Sequence, residues 1–290
     1  MQAKSFFLLA LTTLVAVSCS SSKHSKSKLM PGTWQSTPIV IDGDSKDWPS
    51  PYPNYDAKAL VAYATSNDKE NLYITMQTGD EKTQMKILKQ GMIVSIDTSG
   101  HKDGSFHINF PLQNDNDLIP APKKEDAKRM QGGGVMRNGK GFEEKLKKSA
   151  METNQFSLDG FINCNGGFLV SQSSPCGIKV YVSIDEYKEL VWEAVVPFKA
   201  IYGKSKISAA DKGKPISVCF AVKAFKNPGA KNDNANGGMN DGMAGGGMRN
   251  SMQGRGGQGR GASRAPSENP NQPLYDNTKT WKQFVLEYQE

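Results

Sequence analysis

The sequence predicts an all-β protein: an antiparallel β-sandwich of jelly-roll type, with one or two short helices and two long disordered insertions. Three observations predict it. At least seven segments alternate apolar and polar residues with a period of two. Clusters of Gly, Pro, Asn and Asp punctuate those segments. Only residues 81–90 and 198–202 carry a helical pattern.

The strands follow in chain order. Leu72, Ile74 and Met76 alternate with Tyr73, Thr75 and Gln77, and Met92, Val94 and Ile96 alternate with Ile93, Ser95 and Asp97. Phe106, Ile108 and Phe110 alternate with His107 and Asn109. Ile178, Val180, Val182 and Ile184 form the next set, then Leu190, Trp192, Ala194 and Val196 with Glu193 on the opposite phase. Ile216, Val218, Phe220 and Val222 precede a closing strand of Phe284, Leu286 and Tyr288. Each pattern places one face against a core and one towards water. Residues 119–150 and 227–273 break the pattern, being rich in Gly, Asn and charge and poor in aliphatic residues, and are expected to be flexible insertions. They share an echo, GGGVMRN at 132–138 and GGGMRN at 245–250, as expected of loops that meet one partner or of shared composition alone.

The N-terminus is an address. Lys4 precedes an apolar run, residues 5–17, too short for a comfortable membrane span. The small residues before Cys19 resemble a bacterial lipobox, which makes Cys19 the lipidated residue, 1–18 the leader and 19–35 a polar tether. The alternative is an ordinary secretory leader with an incidental Cys. The expected location is the bacterial cell envelope, on the outer membrane facing the periplasm and held there by the lipid anchor. A multi-span membrane protein is excluded, because the chain has one long apolar run. In an oxidising compartment Cys164 and Cys176 are candidates for a disulfide, while Cys219, inside an apolar strand, reads as a buried small hydrophobe. The formal charge of +7 falls by one when Lys4 leaves with the leader, and so modest an excess gives no expectation of nucleic-acid binding.

Five motifs, in order, carry a resemblance. They are Ile39-Val40-Ile41-Asp42-Gly43 leading to Asp47-Trp48-Pro49, Asn71-Leu72-Tyr73-Ile74, residues 91–97 with the turn Thr98-Ser99-Gly100, Glu193-Ala194-Val195-Val196-Pro197-Phe198, and Thr280-Trp281 with the strand after it. Together residues 36–290 resemble a DOMON-like domain of the carbohydrate-binding module family 9 type. The resemblance implies a ligand-binding or accessory sandwich, because family members bind sugars and members of the wider group bind haem. None of the family's stacking tryptophans maps to a matched position here.

A sugar site needs aromatic rings for stacking and polar groups for hydroxyls. Trp34, Tyr52, Tyr55 and Trp281 are the candidate rings, with Tyr275 beside them, whereas Trp48 and Trp192 read as core. Asp42, Asp44 and Asp47 offer carboxylates but read as turn residues, since no bidentate acid closes a calcium loop. His101, His107 and Met92 are the side chains that could ligate a haem, and an exposed His107 is the expectation. Met239, Met243, Met248 and Met252 recur every four or five residues, a spacing of soft thioethers that suits Cu(I). No nucleophile elbow, HExxH or Walker loop appears, and no cofactor is assigned. The expected function is non-catalytic binding of a carbohydrate or other small ligand. The alternatives are a scaffold that docks an envelope partner through its Gly/Met/Arg-rich loops, and Cu(I) binding.

Overall fold

The computed structural model describes residues 29–112, 139–172, 174–226 and 272–290. The chain is an antiparallel sandwich of two sheets. In chain order the elements are β1 (Asn54–Asp56), β2 (Val61–Asn67), β3 (Asn71–Thr78), α1 (Glu81–Gln90), β4 (Met92–Asp97), β5 (Phe106–Asn109), α2 (Gly139–Glu152), β6 (Gln155–Asp159), β7 (Gly166–Leu169), β8 (Lys179–Ile184), β9 (Leu190–Pro197), α3 (Phe198–Tyr202), β10 (Pro215–Val222), α4 (Gln272–Tyr275) and β11 (Thr278–Val285). One sheet has the order β1-β2-β3-β9-β8, the other β11-β10-β4-β5-β6-β7.

The apolar phase of each strand points between the sheets. Leu72, Ile74 and Met76 of β3 and Trp192, Ala194 and Val196 of β9 meet Val94, Ile96, Ile108, Val218 and Phe220 from the facing sheet, all 2% exposed or less. Trp192 satisfies its indole N–H on the Phe110 carbonyl at 2.9 Å, which removes the desolvation cost of burying that donor. Helix α1 begins where Asp80 accepts the Thr83 N–H at 2.8 Å, and ends at Gly91, whose φ of 82° suits the missing side chain. Cys164 and Cys176 form a disulfide, and Cys219 is a free, buried thiol.

The five-stranded sheet is covered on its outer face as well. Ile39, Trp48, Ala64 and Tyr73 form a second, smaller cluster there, with Ile41, Tyr52 and Val195 packed against it. The chain from Ile39 to Tyr52 thus lies over β2, β3 and β9, which explains why Thr75 and Glu193, on the polar phase of their strands, are wholly buried.

Three boundaries differ from the sequence expectation. Residues 139–152, which start inside the expected insertion 119–150 and run two residues past it, form α2, because Leu146 and Ala150 join the main core and Phe142 packs against it. The expected tether 19–35 ends early: Met30 forms a parallel bridge with Phe284 and Trp34 one with Asn67, so the folded domain begins before residue 36. The closing strand stops at Val285, because Leu286 turns to bond Lys214 and Gly213 instead of the ladder. Residues 119–138 and 227–271 of the expected insertions lie outside the described residues, while 272 and 273 open α4.

Candidate functional site

On the outer face of the six-stranded sheet His107, Asn109, Ser157 and Asp159 are half-buried or exposed among the described residues. Because Val94, Ile96, Ile108, Leu158, Val218 and Phe220 face the core, their neighbours along each strand face outward. Register aligns these in rows across the strands. One row reads Trp281, Cys219, Ser95, His107, Asp159. The next reads Lys279, Ala221, Ile93, Asn109, Ser157, Gly167.

Trp281 organises the first row. Its cross-strand partner Cys219 is 0% exposed although it lies on the outer face. A Cβ placed on Gly104 would sit 3.1 Å from both Trp281 Cη2 and Ser95 Cβ, and 3.4 Å from His107 Cε1. The indole therefore reaches across β10, over Cys219, to the edge of Ser95 and His107. Burial pushes the Cys219 thiol up to about 11, which leaves it a neutral, unreactive support beneath the ring. Ser95 Oγ and His107 Nδ1 share a hydrogen bond of 2.9 Å, and the Lys279 ammonium stands 5.7 Å from the Trp281 ring centre.

A loop packs on this row, its Gly104 lying against Trp281, Ser95 and His107. Both oxygens of Asp97 are occupied, Oδ1 by the Ser99 N–H and Oγ–H, and Oδ2 by the Asp103 and Gly104 N–H groups. Those bonds hold its carboxyl below the usual carboxylate range despite burial, and they fix the loop over the row of Gln283, Ser217 and Asp97. Gln283 also donates to the Gly100 carbonyl. At the β7 edge of the sheet lies a shallow cleft lined by Gln155, Gly167, Phe168, Leu169 and Gln172. A second cleft lies elsewhere, between α1, α2 and the β8–β9 turn.

The four candidate rings are not brought together. Trp34 packs edge-on against Tyr288, with ring centres 6.1 Å apart, at the β2–β3 turn. Tyr52 ends the segment that covers the five-stranded sheet, its hydroxyl 3.2 Å from Thr75 Oγ1, and burial pushes it up to about 12. Tyr55 is 61% exposed on the edge strand β1. Trp281 alone of the four stands on the outer face of the six-stranded sheet. Asn109, Ser157, Asp159 and Lys279, which share this face with Trp281, are not among the residues the sequence singles out. The signal for them was the polar phase of alternating strands, but sequence does not reveal which strands are neighbours.

The remaining candidates sit as follows. Asp42 accepts the Asp44 N–H, Asp44 accepts the Lys46 N–H and Asp47 accepts the Val40 N–H, so all three serve the turn. Met92 is buried in the core, His101 is exposed, and His107 is half-buried beside Ser95. Cys19 and Met239, Met243, Met248 and Met252 lie outside the described residues. Among the described residues no group of three or more His, Cys, Asp and Glu side chains is placed to hold a metal ion.

No family model matches the chain, and no curated protein matches it. Among solved structures it is similar to a carbohydrate-binding module family 9 from Caldicellulosiruptor kristjanssonii in complex with glucose, at 12% identity and a TM-score of 0.31, over 68% of this chain and 78% of that one. A likeness so slight adds nothing to what the residues themselves say about the site.

Proposed function

We propose that this protein is a non-catalytic binding module of the bacterial envelope, anchored through lipid on Cys19, that presents the outer face of its six-stranded sheet to a carbohydrate. The observation that supports this reading is the placement of Trp281 on that face. An indole supplies a rigid apolar surface for a pyranose ring, and His107, Asn109, Ser157 and Asp159, half-buried or exposed beside it, supply donors and acceptors for hydroxyls at strand spacing. A thermal-shift screen of the full chain against a panel of neutral oligosaccharides tests it. A ligand at a hundred times its dissociation constant stabilises by about 2.7 kcal/mol, a shift of several degrees. A panel without any shift would remove the reading.

A second reading, docking of an envelope partner, is favoured by where the two undescribed segments leave the fold. Phe110 and Pro111 bond Met92 at the start of β4, Lys223 bonds Gly91, and Phe225 bonds Leu274 of α4. Lys86 of α1 donates to the Pro273 and Asp276 carbonyls, and α2 also packs on α1. The chain therefore departs and returns around α1 at one end of the sandwich for both segments. Cross-linking in intact envelopes, with and without residues 227–271, separates this reading from glycan binding.

A further inference from the structure

We propose that β7 is held in the six-stranded sheet by the Cys164–Cys176 disulfide and leaves the sheet when a dithiol reduces that bond, so that the cleft at this sheet edge belongs to the oxidised protein alone. The proposal concerns a redox-sensitive element of the fold and stands whether or not the sheet binds a sugar.

The disulfide joins the two sheets at their edges. β7 is the last strand of the six-stranded sheet, and β8 is the last of the five-stranded one. Cys164 lies in the turn between β6 and β7, where its N–H bonds the Phe161 carbonyl at 3.3 Å. Cys176 lies in the turn that leads into β8. There the Gly177 N–H bonds the Ser174 carbonyl at 2.8 Å, and Ser174 Oγ donates to the Ile178 carbonyl at 2.9 Å. The two cysteines are 12 positions apart, and the loop they close contains the whole of β7.

Among the described residues little else fastens β7. Its one strand partner is β6, over four residue pairs, with a further bond from the Val170 N–H to the Asn154 carbonyl at 2.9 Å. Gly166 and Gly167 bring no side chain, and a Cβ on either would meet nothing within 4 Å. Leu169 is 38% exposed. Besides the cysteines, Phe168 and Val170 are the side chains of the loop that reach the main core, and both are only partly buried. From Gly160 to Ile178 the chain carries no Asp, Glu, Lys or Arg, so no ion pair holds it. β6 is differently placed. Its Phe156 and Leu158 are 2% exposed or less, and it pairs with β5 on its other side. The sandwich therefore keeps β6 when β7 departs, a local opening of its least-supported strand.

Cys176 is half-buried beside exposed Pro175, whereas Cys164 is 3% exposed, so Cys176 Sγ is the sulfur that a thiolate reaches. The incoming thiolate bonds to Cys176 Sγ, the S–S bond breaks, and Cys164 leaves with the electron pair and takes up a proton. The second thiol of the reductant, as its thiolate, then displaces Cys176, which takes up a proton in turn. The protein is reduced to two thiols, and the dithiol is oxidised to a disulfide. Ser174 Oγ stands 3.4 Å from Cys176 Sγ, within reach of the thiolate released in the second step. With the loop unclasped, Gly167, Phe168 and Leu169 leave the cleft that they line with Gln155 and Gln172.

Hydrogen exchange of the full chain, read by mass spectrometry with and without dithiothreitol, tests the proposal, and alkylation counts the two thiols that reduction releases. The amides of residues 166–169 are expected to exchange about tenfold faster or more after reduction, while those of β3, β9 and β10 keep their rates. The double variant Cys164→Ser/Cys176→Ser should show the fast exchange without reductant and no response to dithiothreitol. Unchanged exchange of residues 166–169 in the reduced, alkylated protein would overturn the proposal, as would a bond that dithiothreitol leaves intact in the folded protein. Protection lost throughout both sheets would also overturn it, and would assign the bond to the sandwich as a whole.

Discussion

The indole N–H of Trp48 donates to Glu193 Oε1 at 2.6 Å inside the protein, joining the N-terminal segment to the middle of β9 across 145 residues of sequence. The other carboxylate oxygen accepts the Gly43 and Asp42 N–H groups at 2.6 and 3.1 Å. Gly43 is required at this contact: its φ is 81°, and a Cβ there would stand 2.7 Å from Ser183. This latch seals the outer face of the five-stranded sheet.

Breaking the latch will cost stability. Trp48→Phe keeps most of the ring but leaves Glu193 Oε1 without its donor, a loss of about 1–3 kcal/mol readable in urea unfolding. The latch also titrates. Burial outweighs the three donors and pushes the Glu193 carboxyl from 4.5 up to about 7. A carboxylic acid with a raised folded pKa stabilises while protonated, so its contribution is complete below about pH 4.5 and is lost as pH rises through 7. The loss is on the order of 3 kcal/mol. Unfolding free energy of the natural chain should fall over that window, and Glu193→Gln should flatten the fall.

Asp211 works in the opposite direction. It accepts from Lys204 Nζ at 2.6 Å, Lys214 Nζ at 2.8 Å and the Ser208 N–H at 2.8 Å, and these hold its carboxyl well below the usual carboxylate range. A depressed folded pKa stabilises above the unfolded value of 3.8, and that contribution is lost as pH falls below it. Asp211→Asn should therefore lower stability at neutral pH and weaken the acid limb of the unfolding profile. An unchanged acid limb would assign that limb to other carboxylates.

Leu146→Ala tests whether α2 belongs to the core. Leu146 is 6% exposed and sits in the main cluster. Truncation should cost about 2–5 kcal/mol in equilibrium unfolding. A change within about 0.5 kcal/mol would mark the helix as a surface appendage.

Much of the fold was legible because a one-faced strand writes its burial into a period of two. The phases of β3, β4, β8, β9 and β10 were readable in this way, and α1 and α3 stood out against them. The covered outer face was not legible: Tyr73, Thr75 and Glu193 occupy polar-phase positions, and their burial depends on a segment that folds back from residues 39–52. Glu193 lies on the phase that the alternation places towards water, and its pairing with Trp48 is what allows its burial. Helix α2 was hidden by the charge and glycine around it, although Phe142, Leu146 and Ala150 recur at a spacing of four. Of the site, Trp281 was visible as a residue type. Its neighbours His107, Asn109 and Asp159 were not, because they meet it only through strand order, a long-range property that local pattern does not contain.

The binding face is tested most directly by titrating the full chain, Trp281→Ala and Trp34→Ala with a neutral oligosaccharide that shifts the natural protein's melting point. Removal of Trp281 should lower affinity at least tenfold while removal of Trp34 leaves it within twofold, since Trp34 packs on Tyr288 away from the outer face of the six-stranded sheet. The reverse order, or equal affinity in all three with folds intact, would contradict binding on the six-stranded face.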